Sequence, residues 1–157
     1  MQEKMNFRYM GSALVRSISA CNRYRLPHSV LHVFLWKWSR LRHLFWSVIT
    51  GSEIDANAKI GKGLTLPHPN GVIVHRNAVI GDDCIIMQQV TIGQLAGEDV
   101  PVIGSGVYIG AGAKILGKVF VGDHARIGAN AVVLCDVPPN WTAVGVPARP
   151  IPPKARP

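Results

Sequence analysis

A solenoid of short stacked β-strands, preceded by a small helical segment, is the fold that this sequence predicts. Three observations predict it. Aliphatic residues recur every six positions through the C-terminal two thirds of the chain, where glycine is also concentrated. Tryptophan and positive charge are concentrated in the N-terminal third instead.

The bulk properties bound the answer first. The chain has 157 residues, 48% hydrophobic and 17% charged, which suits one domain with a real core and excludes a disordered chain. No apolar run reaches the roughly 18 residues that a membrane span needs, and no secretory leader is evident at Met1. Cys21, Cys84 and Cys135 are odd in number and far apart, so neither a disulfide framework nor a zinc ribbon is expected, and a reducing cytoplasm fits. The net charge of +8 divides unevenly. Residues 1–50 carry +7 and residues 51–157 only +1. Fifteen of the sixteen glycines lie at or after Gly51, and every tryptophan but Trp141 lies before it. The expected organisation is a basic, aromatic helical segment at 1–50, a β-solenoid at 51–149 and a proline-rich tail at 150–157.

Within the first segment, residues 28–49 read as a helix that Pro27 can begin. Leu31, Phe34, Leu35, Trp38, Leu41, Phe45 and Val48 recur at three and four. Lys37, Arg40, Arg42 and His43 are interspersed. Two accounts of this helix stay open, with packing preferred. It packs on the end of the solenoid, or it is an interfacial helix drawn to anionic lipid. Nucleic-acid binding is not expected, because the basic residues are few and form no known motif.

The repeat itself runs Ile54, Ile60, Leu66, then Val74, Ile80, Ile86, Ile92, then Ile103, Ile109, Ile115, Val121, Ile127, Val133. Seven of these thirteen are followed directly by glycine. Six is not a helical period, and each glycine would cost about 1 kcal/mol inside a helix. Short strands with tight corners satisfy both facts, the anchor pointing inward and its neighbours outward. One such turn cannot bury its own apolar side, so turns must stack. The pattern resembles the left-handed parallel β-helix of the hexapeptide-repeat acyltransferases, in which three hexads make a triangular coil. The resemblance implies a mainly β fold of about four coils, roughly 20 Å tall at ~4.8 Å per layer.

Two breaks interrupt the hexads, and breaks in a solenoid are where function tends to sit. The first is a two-residue insertion around Leu66-Pro-His-Pro-Asn-Gly71. With three hexads per coil, the corner after Leu66 lies one layer from the corner before Ile54. Glu53 and His68 are therefore expected to meet there, a carboxylate beside an imidazole as general base catalysis requires. The second break is the loop 94–102, five residues beyond a normal hexad.

The segments 53–71, VTIG (90–93), GAGAKILG (110–117), IGANAVVL (127–134) and GVPAR (145–149) resemble serine O-acetyltransferase. That family sets a catalytic Asp and His fifteen residues apart, and Glu53 and His68 stand at that spacing here. The resemblance implies acetyl-CoA as co-substrate and a small hydroxyl-bearing acceptor, L-serine in the family. Ala111 and Ala129 match alanines that contact acetyl-CoA, and Arg126 and Arg149 match basic residues suited to its phosphates. A homotrimer is implied as well. The loop departs from the family, since Asp99-Val100 precedes Pro101 where an Arg-His pair holds the acceptor. Small exopolysaccharide acetyltransferases share the Glu-for-Asp change and lack that pair, so a sugar hydroxyl is the rival acceptor. A third reading is a membrane-associated β-helical scaffold without catalysis.

Other residues point to less. His75 and His124 sit in regular hexads and are expected at the surface, with His75 near enough to the first break to line an acceptor site. His68, His75 and His124 lack the spacing of a zinc site, and no metal is expected. Cys84 is expected as core filler. The repeat is expected to end after Val133, and the tail to be extended and poorly ordered. The expected location is cytoplasmic, with a peripheral contact to the inner membrane through 28–49 as the alternative setting.

Overall fold

The structure, a computed structural model, describes residues 7–24, 29–95, 97 and 99–153. The hexads become a three-sided parallel coil. On one side stack β1 (Glu53–Ile54), β3 (Ile73–Val74), β6 (Thr91–Gly93), β9 (Lys114–Leu116) and β12 (Val132–Val133). On the second stack β2 (Lys59–Ile60), β4 (Val79–Ile80), β7 (Val102–Ile103) and β10 (Phe120–Val121). The third holds β5 (Ile85–Ile86), β8 (Tyr108–Ile109) and β11 (Arg126–Ile127), and ends in a hairpin of β13 (Thr142–Gly145) and β14 (Ala148–Ile151).

Register makes the anchors into columns. Ile54, Val74, Ile92, Ile115 and Val133 stand above one another on the first side. Ile60, Ile80, Ile103 and Val121 do so on the second, and Ile86, Ile109, Ile127 and Ala143 on the third. All of these are buried except Ile60, which is half-buried. A second inward position two residues earlier is filled by Ala58, Ala78, Cys84, Val107, Ala113, Ala125 and Ala131. Small residues there keep the triangular interior from overfilling. Cys84 is the expected filler, fully buried, and burial pushes its thiol up.

Corners are closed by side chains as well as by turns. Asp82 accepts the Lys62 amide at 2.7 Å, the Asp82 amide donates to Ser105 Oγ at 3.1 Å, and Asp123 accepts the Ser105 amide at 2.7 Å. Asp136 likewise accepts the Phe120 amide at 2.7 Å. These carboxylates are structural, each satisfying a backbone donor that the corner would orphan.

The repeat runs past Val133, contrary to expectation. Val137 is fully buried and bridges to Val121, and Ala143 continues the third column. A four-residue step and an alanine anchor hid them from the hexad pattern. The tail also differs in its first residues. Pro150 and Ile151 belong to β14, opposite Ala143 and Thr142. Residues 154–157 lie outside the described residues.

Two helices precede the coil. The unexpected one is α1 (Phe7–Arg23), whose buried face carries Met10, Ala13, Leu14, Ser17, Ile18 and Cys21. Leu14 and Ile18 join the core of the coil, and a Cβ on Gly11 would strike the Leu66 carbonyl. So α1 lies directly on the open first layer. The expected helix is α2 (Val30–Thr50), with Ser29 as N-cap and Gly51 as a left-handed C-cap at φ 62°. Pro27 and residue 28 lie outside the described residues.

The expected packing of α2 on the coil holds in part: α1 lies across the open end and α2 packs on α1, while Trp46 of α2 reaches the core of the coil and His43 bonds Ile54 O. At about 100° per residue, Val30, Leu31, Phe34, Trp38, Leu41, Leu44, Phe45, Val48 and Ile49 share one face of α2, and all are exposed. Its inner face is instead Ser39 and Thr50, fully buried, with Leu35, His43 and Trp46 partly so. No helix among the described residues is long and apolar enough to cross a membrane.

Candidate active site

The first break is tied to the first strand by one serine. The buried Ser52 hydroxyl donates to the Pro69 carbonyl and accepts the Val72 amide at 3.4 Å, while the Glu53 amide donates to Val72 O at 2.9 Å. Glu53 and His68 each flank this Ser52–Pro69 bond by one residue, and both are exposed. The insertion turns back on itself through the Asn70 amide, which donates to His68 O at 2.7 Å. Unlike Asp82, Asp123 and Asp136, Glu53 accepts no backbone amide among the described residues. Its carboxylate is not consumed by the fold.

A ladder of backbone bonds runs down this corner from the insertion. The Gln89 amide donates to Asn70 O at 2.8 Å, the Gly112 amide to Gln88 O at 2.9 Å, and the Asn130 amide to Ala111 O at 2.8 Å. Ala111 and Ala129 thus stand one layer apart on the corner that His68 heads, with Gln88 between them and the insertion. Gln88 went unnoticed in the sequence, and its buried Oε1 has no hydrogen-bond partner among the described residues. Arg126 is exposed on β11 with its guanidinium 4.9 Å from the centre of the Tyr108 ring. Arg149 is exposed on β14 opposite Val144, which itself abuts Gly128, so this cation lies beside the layer of Ala129.

On the other side of β1, α2 closes a cleft of about 730 Å³. Arg40 and His43 of α2 line it, together with Glu53, Asp55, Asn57 and Arg76. A smaller hollow of about 250 Å³ adjoins it and shares Glu53, Asp55 and Arg76, adding His75 and Gly93. His75 Nδ1 accepts the Asn77 amide at 3.2 Å, which leaves Nε2 to carry the proton of the neutral ring. His43 is a joint. Its Nε2 donates to Ile54 O at 2.9 Å and its Nδ1 stands 3.1 Å from Ser17 Oγ, connecting α2, β1 and α1. Burial pushes its pKa below the ordinary histidine value; the bond to Ile54 opposes this, and the Arg40 charge adds to the lowering. His124 is a left-handed corner residue at φ 58°, exposed as expected.

The second break offers no cation of its own. Asp99 pairs with Lys118 at 3.7 Å, while Ala96 and Glu98 lie outside the described residues. No group of three His, Cys, Asp or Glu side chains able to hold a metal occurs among the described residues.

Comparison with known proteins places this geometry. Residues 101–135 match the bacterial transferase hexapeptide (six repeats) family. The chain is 43% identical over 141 residues to the serine acetyltransferase of Helicobacter pylori (strain J99), covering 88% of this chain and 82% of that one. It is 43% identical over 145 residues to the serine acetyltransferase of Salmonella typhimurium (strain LT2), covering 86% of this chain but only 50% of the relative. Among solved structures, a serine acetyltransferase in complex with CoA superposes with a TM-score of 0.72 at 39% identity, over 90% of this chain and 57% of that one. The Neisseria gonorrhoeae serine acetyltransferase in complex with serine gives 0.74 at 39% identity, over 90% and 56%. The chain therefore spans little more than half of several relatives and most of another. A left-handed β-helix of hexapeptide repeats, this likeness in sequence and this likeness in structure have one reading: the chain belongs to the serine acetyltransferase family.

Proposed function

We propose that the protein is an acyltransferase that moves the acetyl group of acetyl-CoA to the hydroxyl of L-serine. The observation that carries this is the Ser52–Pro69 hydrogen bond, which sets Glu53 and His68 at one corner. In this reading His68 takes the proton of the acceptor hydroxyl, and the oxygen attacks the thioester carbonyl carbon. The carbon–sulfur bond then breaks, and the departing thiolate is protonated by the imidazolium. Glu53 orients the ring and stabilises its charged form. Ala111 and Ala129 leave room for the pantetheine arm along their corner, and Arg126 and Arg149 meet the phosphates.

The test is thiol release from acetyl-CoA with L-serine as sole acceptor and His68→Ala as blank. His68-dependent release is expected. Release only with sugar acceptors would move the activity to polysaccharide acetylation, and absence of acetyl-CoA binding would leave the scaffold reading.

Assembly and location belong to the same proposal. The working unit is a homotrimer in the cytoplasm, and α2 rests on the surface of an anionic bilayer. For the bilayer contact, the support is the exposed apolar face of α2, beside Lys37 and Arg42, in a stretch from residue 4 to 52 without a single acid. Light scattering checks the mass. Cosedimentation with anionic vesicles, but not zwitterionic ones, is expected for the contact; equal recovery with both, or none, rules it out.

A further inference from the structure

The loop before Pro101 lacks the cation that a serine carboxylate wants, yet Glu53 looks onto a cleft with two. Arg40 comes from α2, and Arg76 from the corner that lies one layer from Asp55 and Ala56. Neither makes an ion pair among the described residues. The Arg40 guanidinium lies 5.3 Å from the centre of the Trp36 ring, which fixes its plane without spending its charge. Arg76 has no recorded partner among the described residues. His43, in the same wall, is pushed toward its neutral form by burial and by the Arg40 charge, against the opposing bond to Ile54.

The cleft carries the opposite charge as well. Asp55 Oδ1 is bound by the amide and side-chain nitrogen of Asn57, at 2.7 and 2.8 Å, so one oxygen of this cleft-lining carboxylate is engaged by the fold. Two guanidinium groups and a half-engaged carboxylate, in a space bordered by Glu53, complement a zwitterion rather than a neutral sugar. We infer that this cleft is the acceptor seat, with Arg40 and Arg76 receiving the α-carboxylate of an amino acid and Asp55 its ammonium group. The inference rests on the proposed function, whose acceptor it explains: the cations absent from the loop are supplied by a helix and a neighbouring corner.

The experiment compares two acceptors and two variants. L-Serinamide keeps the hydroxyl and the amine but has no carboxylate. For Arg40→Gln and Arg76→Gln, KM for L-serine should rise about ten- to a hundredfold, the loss expected for a charge-assisted hydrogen bond. KM for acetyl-CoA and the rate with L-serinamide should stay as in the wild type. Arg76→Lys should recover part of the loss, since it restores charge without the fork. An unchanged KM for serine in both glutamine variants overturns the seat. Calorimetric titration with L-serine separates the two failures. Wild-type protein that binds serine through Arg40 and Arg76 without acetylating it refutes the activity and keeps the seat. Wild-type protein that does not bind serine overturns the seat.

Discussion

The coil and the helices of this protein solve the burial problem in opposite ways. In the coil, each turn covers the apolar side of the next, and Ile92 lies fully buried between Val74 and Ile115. In α2, the most apolar face points outward, with Val48 at 72% and Phe34 at 63% exposure, while serine and threonine face inward. A solenoid contains its own partner in the next repeat. An amphipathic helix does not, and its stripe says only that something covers it. The candidate site lies where the two regimes meet, between Gly51, which ends α2, and the first strand.

The largest expected effect falls on that joint. His68→Ala should cut turnover about 10²- to 10⁴-fold, the usual worth of a positioned general base, with the circular dichroism of the coil unchanged. Thiol release in the presence of L-serine reads it, and full activity in the variant would remove His68 from the chemistry.

A paired substitution then measures the contrast directly. Ile109→Ala opens a cavity in a closed layer and should cost about 2–5 kcal/mol by denaturant melting. Phe34→Ala removes a larger side chain from α2 and should cost no more than about 0.5 kcal/mol in the isolated protein. Comparable losses at the two positions would mean that α2 is covered in solution.

The smallest effect is one of pH. Since folding lowers the pKa of His43 from 6.5, the unfolded chain binds the proton more readily than the native one. The contribution of His43 is therefore full above pH 6.5 and is lost as the pH falls toward its native value. Relative to the intrinsic exchange rate at each pH, amide protection in α1 and α2 should fall between pH 7 and 5 while that of the coil does not. His43→Gln should flatten this dependence.

Much of this was legible in the sequence because the period of six is set by geometry, not by preference. The thirteen anchors, the filler Cys84 and the corner shared by Glu53 and His68 all follow from counting. Val137 was missed because its step is four residues, and Ala143 because an alanine anchor leaves no signature. In α1, the signal was present in Met10, Leu14, Ser17, Ile18 and Cys21, but small and polar members diluted it. The reversal of α2 was not readable, because periodicity identifies a face without saying which way it turns. Arg40 and His43 were equally hidden: they reach the cleft beside Glu53 only through the docking of a helix, which nothing in local spacing encodes, whereas Arg76 stands there by the register of the coil.

The hairpin of β13 and β14 carries a consequence for how long such an object can become. Every other strand pair among the described residues is parallel, so each layer presents the template for another like itself. Left open at both ends, identical molecules could add head to tail and grow into a fibre. Here β14 runs antiparallel and breaks the template at one end, while α1 lies across the other. The molecule is a segment of an unlimited lattice that its own chain terminates twice.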